Sequence, residues 1–168
     1  MKLPLTCLVE RIGDALAGAI DELAPAVDAA LALAAADPRL LSGAQTLGRA
    51  DCYARHILHA DPHGRFAIVS IVWRPGQRTP VHGHYTWCGY AVVNGSLHEE
   101  SYVQAHPAAV RRIASADRSA GYVCFTHAGI EPAHCLGNCG NADAVSLHVY
   151  GIDGERVGTH VNRVVRAI

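Results

Sequence analysis

From about Leu47 onward the chain is a succession of short runs rich in Val, Ile, Tyr and Trp, broken by Gly, Pro, Asn or Asp about every 8 to 12 residues. Antiparallel strands in that number and rhythm indicate a sandwich or a small barrel of jelly-roll type. Strands are expected near 52–59, 66–73, 80–83, 86–93, 96–103, 109–114, 121–126, 132–136, 144–150 and 160–166. Asn94-Gly95 reads as a two-residue hairpin, because both central positions of such a turn want positive φ. Upstream, from Thr6 to Leu41, apolar residues recur at helical spacing, as in Leu8, Ile12, Ala15, Leu16 and Ile20, then Val27, Ala30, Leu31 and Ala34. Pro25 and "ADPRLL" divide this segment into two or three helices, expected to cap the β-rich part. At 168 residues, one domain is expected, with 1–46 as the helical cap and 47–168 as the barrel.

Only 17% of the residues are charged and the formal net charge is −1, so nothing marks a nucleic-acid footprint or an attraction to acidic membranes. Glu10 and Arg11 interrupt the first apolar run before a signal-peptide core forms, and no run approaches the ~20 apolar residues of a membrane helix. A cytoplasmic protein with small-molecule partners is expected. Cys7, Cys52, Cys88, Cys124, Cys135 and Cys139 then read as reduced thiols, most of them filling the core.

The stretch "PGQRTPVHGHYTWCGYAVVNG" places His82 and His84 one residue apart. In a strand both imidazoles project to one side, about 7 Å apart at a rise of ~3.3 Å per residue. Two readings are open on that ground alone: a grip on one metal ion, or two exposed histidines on an edge strand. The spacing Gly76, five residues, His82-x-His84, three residues, Cys88, six residues, Gly95 resembles the first cupin motif, with cysteine where the motif has glutamate. "HAGIEPAHCLGN", with His134 and Asn138, resembles the second, the interval before His134 being two residues longer. "VSLHVYG" resembles the Ser-x-His-x-Tyr element and "CYARHIL" the Tyr-x-Arg element of the cysteine dioxygenase, or thiol dioxygenase, family of cupins. The resemblance spans about residues 50 to 151.

That resemblance implies a mainly β fold, the cupin double-stranded β-helix, with a short N-terminal helical segment. It implies Fe(II) held by His82, His84 and His134, and oxidation of a small thiol carboxylic acid by O2 to its sulfinic acid. A set of three neutral imidazoles, unlike the two-histidine-one-carboxylate set of common ferrous oxygenases, leaves an extra positive charge that favours an anionic sulfur donor. Arg55, with Tyr53, is the expected anchor for the substrate carboxylate; arginine at this position goes with cysteine-like substrates, glutamine with 3-mercaptopropionate. Tyr150 is expected beside the iron, with His148 and Ser146 orienting it and carrying a proton. Cys88, counted back from Gly95, falls where some members carry a cysteine joined to the active-site tyrosine; counted forward from His84 it comes one residue early. Cysteine is the first substrate, with 3-mercaptopropionate and mercaptosuccinate as alternatives.

Rival readings stand beside these. His127 could be the third ligand, and Arg55 could be a surface residue paired with Asp51 or Asp61. Cys135 and Cys139 could form a zinc clip, or three histidines could hold a hydrolytic zinc. The cupin could also bind a ligand without turnover. Trp73 and Trp87 are expected to wall the pocket or fill the barrel, and His160, Arg163 and Arg166 to line its mouth. His56, His59, His63, His98 and His106 read as surface or turn residues.

Overall fold

The structure, a computed structural model, describes residues 2–107 and 109–168. Helix α1 spans Pro4–Ala17, its proline in the first turn where no amide hydrogen is needed. Helix α2 spans Leu23–Ala35 and carries Pro25 within its own first turn, so this proline starts the second helix and does not break it. The strands are β1 Ala54–Ala60, β2 Ala67–Trp73, β3 His82–His84, β4 Cys88–Asn94, β5 Ser96–His106, β6 Ala109–Ser119, β7 Val123–Thr126, β8 Gly129–Gly137, β9 Ala144–Tyr150, β10 Asn162–Val164 and β11 Arg166–Ala167. No helix among the described residues is long and apolar enough to cross a membrane.

Two sheets are formed, in the orders β1-β2-β9-β4-β7 and β10-β3-β8-β5-β6-β11. Strand alternation divides the five-stranded sheet into two faces. Val69, Ile71 and Trp73 of β2, Cys88, Tyr90 and Val92 of β4, and Tyr150 of β9 meet Leu97 and Leu136 of the opposing sheet in the barrel interior. Their neighbours Ile68, Ala91, Leu147 and Val149 turn the other way and pack under Leu8, Ile12, Val27 and Leu31 of the two helices. With both faces covered, β2 and β9 are buried along their whole length. Gly89 makes this seat possible: a side chain there would meet Val27 Cγ1 at 2.7 Å and Leu31 Cδ1 at 2.9 Å.

The expected hairpin at Asn94-Gly95 is not one. Gly95 has φ 75°, but no described residue other than glycine has positive φ, and β4 and β5 belong to different sheets. The dipeptide is a corner at which the chain changes sheet. The hairpin of this region is β5–β6, paired from Ser96↔Ser119 to His106↔Ala109. The last expected strand is divided at Val165, whose amide still bonds Val81 O in register with β3, after which Arg166 and Ala167 turn to pair with β6. All six cysteines are free thiols, as expected, but only Cys88 and Cys135 are fully buried.

Candidate functional site

Strand β3 lies between β10 and β8, and His82 pairs directly with His134. A regular ladder would then bring His84 opposite Pro132, but it faces Gly129, so the extra residues of β8 are taken up in a bulge between the two pairings. This is the physical reason for the long interval before His134. Gly83 permits the close approach, since a Cβ there would overlap Gly129 O and lie 2.9 Å from Ile130 Cα.

The three imidazoles form a triangle with centroid separations of 5.0, 4.7 and 5.1 Å, each offering a nitrogen within 4.8 Å of the others. All three are buried. His82 Nδ1 is bonded to Pro80 O at 3.0 Å and His134 Nδ1 to Glu99 Oε1 at 2.8 Å, leaving their Nε2 atoms for the shared point; His84 Nδ1 is buried with no partner among the described residues. Burial, and next the neighbouring His134, pull His82 down to about 3 and His84 to about 2. These rings are therefore neutral with lone pairs available, which is the state a divalent metal needs. The residues fit a metal ion.

The five-stranded sheet closes the chamber with Arg55, Trp73, Cys88, His148 and Tyr150, joined by Tyr53 just ahead of β1. Arg55 sits on edge strand β1, its guanidinium 3.0 Å from the Tyr53 hydroxyl and 5.0 Å from the ring centroid; Tyr53 in turn lies 4.7 Å from Trp73. Neither expected carboxylate pairs with Arg55: Asp51 is bound by Arg49 and Asp61 by Arg65. Arg55 is the one permanently charged side chain among the described residues lining the chamber.

Ser146, His148 and Tyr150 share the inner face of β9, but their connection differs from the expected relay. Trp73 Nε1 donates to Ser146 Oγ at 2.9 Å, which frees the serine proton for His148 Nε2 at 2.8 Å. His148 Nδ1 is buried without a partner among the described residues, so no hydrogen bond runs on to Tyr150. The imidazole is instead stacked between Tyr90, at 5.4 Å, and Tyr150, at 5.6 Å. Burial, then His134, then Arg55 lower His148 to about 3, and burial raises Tyr150 well above the usual phenol range. Cys88 lies directly opposite Tyr150 in the ladder. The Gly151 amide bonds Trp87 O beside them, which makes Cys88 and Tyr150 a non-hydrogen-bonded pair, the closer of the two kinds.

Several rivals fall outside this cluster. His127 is exposed and packs edge-on to Phe125 at 5.1 Å. Cys135 points to the outer face, where Arg78 Nη2 reaches it at 3.0 Å, and Cys139 is exposed; both border a separate hollow of about 390 Å³. Trp87 stacks on Phe125 under the helices, at 5.7 Å, and only Trp73 walls the chamber. From the last strands it is Asn162, in register with His84, that lines the chamber. His160 bonds Thr159 at the surface, and Arg163 and Arg166 border another hollow.

Glu99, Arg118, Tyr90 and Asn162 also join the site or its support, although no motif in the sequence marks them. Glu99 had a visible signal, a carboxylate two residues after the core Leu97 and hence on the inward face of its strand.

Residues 46–154, well over half of the chain, match the family described as cysteine dioxygenase type I. The chain belongs to that family. Solved structures of low identity agree on the fold alone. A protein with a double-stranded β-helix domain from Klebsiella pneumoniae subsp. pneumoniae is 15% identical with a TM-score of 0.53, covering 70% of this chain and 88% of its own. The TT1209 protein from Thermus thermophilus is 19% identical with a TM-score of 0.51, covering 67% of this chain and 96% of its own. The fold is thus the cupin double-stranded β-helix with short N-terminal helices, and the family is that of the thiol dioxygenases. This family match, together with the three clustered histidines, points to dioxygenase chemistry at a metal.

Proposed function

We propose that the protein is an iron(II)-dependent dioxygenase, acting in the cytoplasm on a small thiol carboxylic acid, first of all L-cysteine, and yielding the sulfinic acid. The observation that carries this reading is one chamber uniting a three-imidazole face with the guanidinium of Arg55, which has no carboxylate partner among the described residues. Iron(II) on His82, His84 and His134 would supply activation of dioxygen next to the substrate sulfur, to which both oxygen atoms are transferred. The chain's own residues do the rest. Arg55, pre-set by Tyr53, holds the substrate carboxylate in a planar fork and so fixes the sulfur over the histidine face. Tyr150, kept a neutral phenol by burial, donates its hydroxyl proton toward the reacting atoms. Trp73, Ser146 and His148 lock the tyrosine's orientation by a hydrogen-bonded row that ends in a ring stack. No acidic side chain lines the chamber among the described residues, which disfavours a cationic thiol such as cysteamine.

Reconstitution with iron(II) under anaerobic conditions, followed by oxygen uptake on cysteine, 3-mercaptopropionate, mercaptosuccinate and cysteamine, tests the reading. Uptake is expected with the carboxylated thiols and not with cysteamine. No uptake with any of them, or full activity with zinc, rejects it. In Arg55→Gln the KM for the carboxylated thiol should rise by the worth of a charged hydrogen bond, about 1.5–3 kcal/mol or roughly ten- to hundredfold, with kcat changed much less. An unchanged KM would remove Arg55 as the anchor.

The cross-strand pairing also supports a thioether between Cys88 Sγ and the Tyr150 ring. Its formation joins sulfur to ring carbon with loss of the thiol hydrogen and one ring hydrogen, which pass with two electrons to dioxygen and leave as hydrogen peroxide. Peptide mapping of turned-over enzyme should recover the two segments linked and two hydrogens light. Recovery of only separate peptides from fully active protein would dismiss the link.

A further inference from the structure

The three clustered histidines are not held alike. His82 offers its outer nitrogen to a neutral carbonyl and His84 Nδ1 has no hydrogen-bond partner among the described residues, whereas His134 Nδ1 is bonded to a carboxylate, Glu99 Oε1, at 2.8 Å. Glu99 comes from β5, whose Ser101 pairs with His134, and it is 6% exposed. Its second oxygen accepts Arg118 Nε at 2.8 Å from β6. Arg118 is half-buried and lies over the Tyr122 ring at 4.3 Å.

Removing a carboxylate from water costs several kcal/mol unless each oxygen is matched. Arg118 satisfies one oxygen of Glu99. The other has a single partner, the imidazole N–H of His134, and the far side of that ring faces the shared point of the cluster. A carboxylate bonded behind a ligating histidine fixes its tautomer and ring angle and makes it a stronger donor. A face of three neutral imidazoles lacks the carboxylate of the common ferrous set, and here that charge stands one hydrogen bond further out.

We propose that Glu99 is a positioning residue of the metal centre, acting through His134 to lend the three-imidazole face the negative charge it lacks, with Arg118 tempering how much of that charge reaches the ring. The inference rests on the reading of His82, His84 and His134 as a metal-binding face.

The test uses the full-length protein, stripped of metal and titrated anaerobically with cobalt(II) while the d–d absorption is followed. In parallel, the midpoint potential of the iron-loaded protein is measured by redox titration. Glu99→Gln keeps the shape and loses the charge; it should bind cobalt(II) about ten- to hundredfold more weakly, with the iron potential more positive. Arg118→Met removes the tempering cation and should shift the potential the other way, with cobalt(II) affinity held or increased. Wild-type affinity and potential in Glu99→Gln would overturn the proposal. So would a positive shift in Arg118→Met, since a mere structural strut is weakened from either end. If Glu99→Gln does not fold, the sign of the Arg118→Met shift decides alone. Failure of the wild type to take up one equivalent of cobalt(II) would strike the metal-site reading itself, a different result from equal uptake by wild type and variant.

Discussion

Replacement of His84 by alanine is expected to abolish iron retention and thiol oxidation together, while the metal-free barrel melts within a few degrees of the wild type. His84 is 3% exposed, and its Nδ1 has no partner among the described residues. In the metal-free protein this ring therefore costs about as much as an unsatisfied buried polar atom, roughly 1–3 kcal/mol. Deleting it relieves that penalty but opens a cavity, and the two effects oppose each other. The balance changes when metal binds. A ligand present at a thousand times its Kd stabilises the folded state by about 4 kcal/mol, which for a chain of this size is a rise of roughly 8–16 °C in Tm. Wild type should show this rise on adding iron(II) and His84→Ala should not. Metal content after desalting and melting curves with and without iron(II) check the prediction. A variant that keeps one equivalent of iron and its activity would show that His84 is not a ligand.

Much of this centre was legible because strand alternation is a strict rule. One residue apart on a strand means one face, which brought His82 and His84 together, and likewise Ser146, His148 and Tyr150. The helical cap was legible from its 3.6-residue period, and Leu8, Ile12, Val27 and Leu31 do line its buried side. What local pattern does not encode is which sheet a strand joins. Asn94-Gly95 has hairpin chemistry, yet β4 finds its partners in β7 and β9, and the turn becomes a corner. The bulge that brings His134 opposite His82 is also a long-range matter, since it depends on where β3 meets β8 and not on residues 129–134 alone. The direction of the orienting row is not legible from the triplet for a related reason. A Ser-x-His-x-Tyr triplet shows that three side chains share a face, but the indole hydrogen of Trp73, which sets the direction of the hydrogen bonds, arrives from β2. Glu99 shares the inward face of its strand with the core Leu97 and is legible on that ground, whereas Asn162, a lone polar residue on a short strand, carries no sign of whether its face is wet or dry until the opposing strands are in place.

The second large effect is expected at a residue with no functional group. Gly83→Ala should lose both stability and metal affinity. The atoms that a methyl group at this position would meet are Gly129 O, in overlap, Ile130 Cα at 2.9 Å and Ile130 O at 3.0 Å, all of them backbone. Backbone within a paired strand cannot rotate aside as a side chain can, so β3 and β8 must separate. Overpacking of this kind costs typically 1–3 kcal/mol, and the separation falls between the two pairings, His82↔His134 and His84↔Gly129, that set the histidine triangle. Metal affinity should fall further than stability, because ligand nitrogens must stay within a few tenths of an ångström to share an ion. Gly89→Ala provides the contrast: its Cβ would also come too close, but to Val27 Cγ1 and Leu31 Cδ1, the ends of side chains on the far face of the sheet. That variant should lose stability and keep its metal, so the three substitutions separate ligand chemistry, backbone register and packing. A Gly83→Ala protein that melts and binds iron(II) like wild type would mean that the close approach of β3 to β8 does not hold the site together.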